Sequence, residues 1–188
     1  MIPRVALISI TSTGSEVEGE DRMGRAQRMT ADVTGRFGGL GVELMQPVPI
    51  TTTPAEVSAA VDQAVHWKAD AVVLLFTGFV TPDWVVLPVR KLQIPLVLWS
   101  LPCIHTWPLV GAALCRGALA DVGQPHKWCY GDVDSPALGE VYDFVRGAMV
   151  AQRLQGKKYG FIGGRTYAMY SAVFDYPQLM RQFGMTVA

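Results

Sequence analysis

Imidazole serves both as a metal ligand and as a general base, and the chain has three histidines, His66, His105 and His126. None stands at a spacing from another histidine or a carboxylate that would put two ligands on one face, so the pattern offers no metal site. Ser100 lies close to His105, but no elbow motif surrounds the serine and a nucleophilic triad has no support. The loop Thr11-Ser12-Thr13-Gly14-Ser15 follows the first apolar run and precedes the first helical pattern. Backbone N–H groups and a helix N-terminus at such a place attract phosphate. However, Glu16, Glu18, Glu20 and Asp21 follow at once, and these four carboxylates would repel that anion. A solvated acidic loop fits better. No GxGxxG and no GxxxxGK[ST] occurs, and Gly163-Gly164-Arg165 suits an ordinary tight turn as well as an approach to a ligand.

Aromatic residues offer another chemistry. Phe76 and Phe79 follow the third apolar run, Trp99 ends the fourth, and Trp107 opens the next helical pattern. Ligands of open α/β sheets bind outside the carboxyl ends of the strands. A sugar presents apolar C–H faces, so rings beside polar donors suit a carbohydrate there. Core or interface packing is the commoner use of the same residue types.

The elements that must hold these residues alternate between short apolar runs and helical patterns, the signature of a parallel sheet wrapped by helices. Residues 5–10 read as a strand buried on both faces. Met23, Ala26, Met29, Val33 and Phe37 mark an amphipathic helix, which Gly38 and Gly39 end by accepting a left-handed conformation. Residues 42–48 form a second strand, and Thr53-Pro54-Ala55-Glu56 is a capping box for a helix with Val57, Ala60, Val61, Ala64 and Val65 inward. Residues 71–76 form a third strand, and Pro88 breaks or kinks a helix within residues 81–92. Residues 96–99 and 128–130 are further strands, separated by a small-residue helix over residues 107–122. Ser135-Pro136 opens a fifth helix carried by Leu138, Val141, Val145, Ala148 and Gln152. These units predict an α/β fold with a doubly wound, five-stranded parallel sheet of flavodoxin- or Rossmann-like type, in strand order 2-1-3-4-5. Residues 1–156 form that domain; residues 157–188, with strands at 159–162 and 185–187 around a short helix, read as the start of a second α/β domain.

Sixteen basic and sixteen acidic residues cancel, so no net charge draws the chain to nucleic acid or to an anionic membrane. Hydrophobic residues make up 50% and charged residues 17%, so either the core is rich or other subunits or domains cover some of the surface. No apolar run approaches the ~20 residues of a membrane span, and the first residues lack a signal-peptide layout. Cys103, Cys115 and Cys129 form no CxxC pair and read as reduced, buried small hydrophobes of a cytoplasmic protein.

Three stretches in order resemble the L-fucose isomerase family and, more distantly, the L-arabinose isomerases. They are Asp21-Arg22-Met23-Gly24-Arg25, then Leu96-Val97-Leu98-Trp99 with Trp107-Pro108, then Gln155-Gly156-Lys157-Lys158-Tyr159 through Gly163-Gly164 to Phe174-Asp175 and Phe183-Gly184-Met185. The resemblance implies the N-terminal part of a metal-dependent aldose–ketose isomerase, an intramolecular oxidoreductase with a second α/β domain and a C-terminal barrel-like domain. It also implies a divalent ion, often manganese, held beyond this chain, and a homo-oligomer in which this domain covers a neighbour's active site. Arg22 matches a substrate-contacting arginine, Phe79 falls near an aromatic wall residue, and Tyr167 near a methionine that contacts sugar. With Trp99 and His105 these form the candidate monosaccharide-contacting set, with no catalytic and no metal-ligating residue among them. Phe76-Thr77-Gly78-Phe79 departs from the family's tryptophan-rich turn, and Ser100 replaces a histidine of the arabinose enzymes. The competing readings are a non-catalytic flavodoxin-like or sugar-binding module and a flavoprotein; the threonine-rich loop at 11–15 resembles the phosphate loop of flavodoxins.

Overall fold

Six of the seven residues of β1 (Arg4–Ile10) are buried, as a strand covered by helices on both faces requires. The computed structural model describes residues 2–13, 21–46, 49–90, 92–160 and 175–188. In chain order the first βα units are β1, α1 (Arg22–Gly38), β2 (Glu43–Met45), α2 (Pro54–His66), β3 (Ala71–Phe76) and α3 (Asp83–Val89). They are followed by β4 (Leu96–Ser100), α4 (Pro108–Asp121), β5 (Lys127–Tyr130) and α5 (Pro136–Leu154). The strands pair in parallel in the order β2-β1-β3-β4-β5, with registers that run from Val5 opposite Ala71 to Ile10 opposite Phe76 at the centre. This is the expected doubly wound α/β sheet.

Period-two alternation divides the core. Ala6, Ile8, Ile10, Leu74, Phe76, Leu96 and Leu98 pack under α2, α3 and α4. Val5, Leu7, Val73, Leu75, Val97 and Trp99 face the other way, against Val33 and Phe37 of α1 and Val141 and Val145 of α5. Two threonine hydroxyls pair with buried Ser9 inside this frame, whereas the buried Ser100 hydroxyl has no partner among the described residues. Thr30 donates to Ser9 Oγ at 3.0 Å and Thr51 donates to the Ser9 carbonyl at 2.7 Å.

Local chemistry sets the helix starts. The Thr53 hydroxyl accepts from the Glu56 N–H at 3.2 Å, and the Glu56 carboxylate reaches back to the Thr52 N–H at 2.6 Å. Asp21 caps α1 through the Gly24 N–H at 2.8 Å. Four expectations need adjustment. The edge strand β2 covers three residues, with pairing carried further by Thr51, whose N–H donates to Ser9 and whose carbonyl accepts from Thr11. Gly39 closes α1 in right-handed geometry, and the left-handed glycine is Gly41, at φ 77°. Val65 is 50% exposed on the outer side of α2. Helix α3 runs one residue past Pro88, to Val89, so the proline, which has no N–H to give to the carbonyl four residues back, stands near the helix's end and not in its middle.

Strands β6 (Lys158–Tyr159) and β7 (Thr186–Val187) pair with each other in a separate two-stranded parallel sheet, flanked by α6 (Tyr176–Phe183). Tyr176, Met180 and Phe183 stay 40–56% exposed on that helix. Among the described residues, no helix is long and apolar enough to cross a membrane.

Candidate functional site

The crevice of a doubly wound sheet is expected where the strand order reverses, here between the carboxyl ends of β1 and β3. The two loops that leave those strands instead pack on each other. The Thr11 N–H donates to the Thr51 carbonyl at 3.1 Å, and the Ser12 N–H donates to the Phe79 carbonyl at 3.3 Å. An added Cβ at Gly78 would overlap the Thr11 hydroxyl. Two amides of the threonine-rich loop are thus committed to protein carbonyls, which removes them from any phosphate cradle. Gly14 and Ser15 lie outside the described residues.

Open space appears one strand further along, at the carboxyl ends of β4 and β5. A cleft of about 810 Å³ is lined by Arg25, Cys103, His105, Trp107 and Tyr130, with Ile104, Leu109 and Val110 among its apolar walls. Its floor is the loop between β4 and α4. Leu101 is buried and anchors one end of that loop, and Thr106 anchors the other by donating its hydroxyl to the Thr77 carbonyl at 2.8 Å. Trp107 then takes a left-handed conformation, φ 52° and ψ 44°, unusual for a bulky residue, and is 60% exposed. Pro108 follows at the first position of α4, where its fixed φ suits the helix start and its missing N–H costs nothing. Across the cleft, Tyr130 ends β5 and is 49% exposed. Arg25 enters from α1, and no carboxylate is among the described residues of the lining.

The cleft holds one thiol. Burial pushes Cys103 up, but hydrogen bonds from the Thr106 side chain and from the Thr106 and His105 N–H groups, with the charge of Arg25, outweigh it and hold the thiol below its ordinary value. The other two cysteines behave oppositely. Burial, with Asp83 nearby, pushes Cys115 up to about 12, and burial with Glu140 raises Cys129. Only those two match the expectation of buried small hydrophobes; Cys103 is partly exposed.

The five candidate contacts disperse. His105 lines the cleft. Arg22, the first residue of α1, is half-buried and outside the lining; Arg25, three residues further on, holds the place at the cleft. Phe79 is half-buried beside the β1 loop and outside the lining. Trp99 is fully buried: its ring meets Phe37 edge-on at 6.2 Å, and its indole N–H donates to the Gly131 carbonyl at 2.8 Å. Trp99 is therefore a core residue and not part of a surface shared with Arg22 and Phe79. Phe76 is likewise fully buried. Tyr167 lies outside the described residues. Sequence reasoning missed Arg25, Cys103 and Tyr130 as lining. The one available signal was the position of Cys103 and Tyr130 at or just past strand carboxyl ends.

Among the described residues, no three His, Cys, Asp or Glu side chains gather where they could hold a metal ion. The fold class is flavodoxin- or Rossmann-like, with an aromatic cleft, free of carboxylates among its described lining residues, displaced from the switch point. No family model matches the chain, and no curated protein matches it.

Proposed function

We propose that this chain is the substrate-covering N-terminal part of a metal-dependent aldose–ketose isomerase, acting in the cytoplasm as a homo-oligomer on a monosaccharide. The observation that carries the reading is the cleft at the ends of β4 and β5. Trp107 and Tyr130 supply ring faces for a sugar's C–H surface, and Arg25 and His105 supply polar groups for its hydroxyls. Ile104 is 82%, Trp107 60% and Val110 45% exposed, an apolar rim of the kind that a neighbouring subunit covers. Covering it would exclude water from a reactive enediol. In this reading, as the resemblance implies, an ion that would polarise the sugar carbonyl is held by another part of the protein.

The test is turnover by the complete gene product supplied with manganese and a panel of aldoses, followed by ketose formation. Trp107→Ala and Tyr130→Ala should each lower kcat/KM by about 1–2 kcal/mol of transition-state binding while leaving manganese affinity unchanged. Failure to interconvert any aldose and ketose overturns the reading. The second reading is a non-catalytic sugar-binding module, which the same ring faces of Trp107 and Tyr130 with Arg25 and His105 would serve. Saturable sugar binding without turnover would identify that module.

A further inference from the structure

The loop between β4 and α4 carries a nucleophile that the sugar reading leaves unused. Cys103 lines the open cleft, whereas Cys115 is buried under α4 on one face of the sheet and Cys129 is buried on the other, its thiol donating to the Ala137 carbonyl at 3.5 Å. The groups that face Cys103 come from three elements. Arg25 comes from α1, His105 and Thr106 from the loop itself, and Tyr130 from the end of β5. An independent feature marks the same place. Arg25 Nε is buried without a hydrogen-bond partner among the described residues, and the described lining holds no carboxylate to neutralise it. A buried guanidinium nitrogen left without an acceptor is costly unless an anion forms or arrives beside it.

We propose that Cys103 is a modification site: a nucleophilic thiolate, faced by Arg25 and the loop amides, that attacks small hydroperoxides admitted by the cleft. The lowered pKa of this thiol agrees with the arrangement of donors around it. The single Thr106 proton has two competing acceptors, the Thr77 carbonyl and the Cys103 sulfur, so the two N–H groups and Arg25 are the permanent donors. In the reaction the sulfur attacks one peroxide oxygen. An S–O bond forms as the O–O bond breaks, and the alkoxide or hydroxide that leaves takes a proton from water. Sulfur is oxidised by two electrons to the sulfenic acid and the peroxide is reduced by two. Cys115 and Cys129 are buried on opposite faces of the sheet, so neither can resolve that product and a small soluble thiol must cap it. The inference depends on the cleft alone and stands or falls separately from the isomerase reading.

Two reactions on the purified chain test it, iodoacetamide near neutral pH and hydrogen peroxide followed by dimedone, each read by peptide mass spectrometry against glutathione. Cys103 should be labelled first, with a half-rise of rate at lower pH than glutathione, and should carry the dimedone adduct. Each unit of lowering raises the thiolate fraction at neutral pH about tenfold but reduces its nucleophilicity, for a net gain of about threefold in rate. Arg25→Met should move the half-rise upward, while Arg28→Met, on an exposed position of the same helix, should not. If Arg25→Met does not fold, the wild-type pH profile decides by itself. A Cys103 that alkylates with the profile of glutathione, or that peroxide leaves without a dimedone adduct, overturns the proposal.

Discussion

Two glycines of α4 should respond to the same substitution with opposite signs. Gly111 faces the sheet, and a Cβ placed there would stand 2.8 Å from the Val80 nitrogen, 3.1 Å from the Val80 oxygen and 3.3 Å from the Phe79 Cα. All three are backbone atoms, so no side-chain rotation relieves the contact, and α4 must withdraw by several tenths of an ångström from the loop after β3. Ala112, Cys115 and Leu119 are buried on the same side and would lose packing as the helix moves. Overpacking of this kind costs about 1–3 kcal/mol, and alanine recovers up to about 1 kcal/mol of helix propensity. With backbone atoms that cannot turn aside, the upper part of that range applies, about 2–3 kcal/mol, and Gly111→Ala should therefore destabilise the protein by about 1–2 kcal/mol net. Gly117 lies further along the helix on its outer side, exposed, with nothing within 4 Å of its added Cβ. There the propensity gain is unopposed, and Gly117→Ala should stabilise by about 0.5–1 kcal/mol. Urea unfolding followed by circular dichroism would show the midpoint falling for one variant and rising for the other with unchanged slope. For a chain of this size the melting temperature should shift by about 2–4 °C per kcal/mol. If Gly111→Ala is as stable as the parent, or both variants move in the same direction, the close approach of α4 to Val80 is wrong.

Trp99→Phe removes a buried indole N–H from the Gly131 carbonyl and shrinks a ring packed on Phe37, so the urea midpoint should fall by the equivalent of about 1–3 kcal/mol; an unchanged midpoint would return Trp99 to the list of ligand-facing residues. The Thr52 backbone N–H, more than burial, shapes Glu56, and the net effect holds its carboxyl below the ordinary carboxylate value. A depressed folded-state pKa stabilises fully above the unfolded value and ceases to do so as pH falls through the folded value. The stability difference between the parent and Glu56→Gln should thus be present near neutral pH and vanish in strong acid; a difference that grows on acidification would contradict the capping geometry.

The sequence alone determined the sheet. Strands covered on both faces need nearly continuous apolar runs; residues 71–76 and 96–99 carry them without interruption and residues 5–10 with a single break at Ser9, so their burial was legible before their neighbours were known. Right-handed crossovers then left little choice of strand order, and caps such as Thr53 and Ser135 are local, set by residues within a few positions. The cleft was legible only in part. Trp99 falls at a strand end, where a ligand-facing ring is expected, but the period-two alternation of β4 turns it toward Phe37 and α5, and only the packed helices show that this side is closed. Arg22 and Arg25 are one helical turn apart in α1, and the roll of that helix against the sheet puts Arg25 at the cleft. Cys103 resembles the two core cysteines in sequence; it differs because the loop tied by Thr106 to Thr77 folds its amides toward the sulfur and leaves one side open. Burial patterns repeat along a chain and can be read there, whereas a cleft arises where loops from several strands meet, and their meeting depends on contacts between residues far apart in sequence.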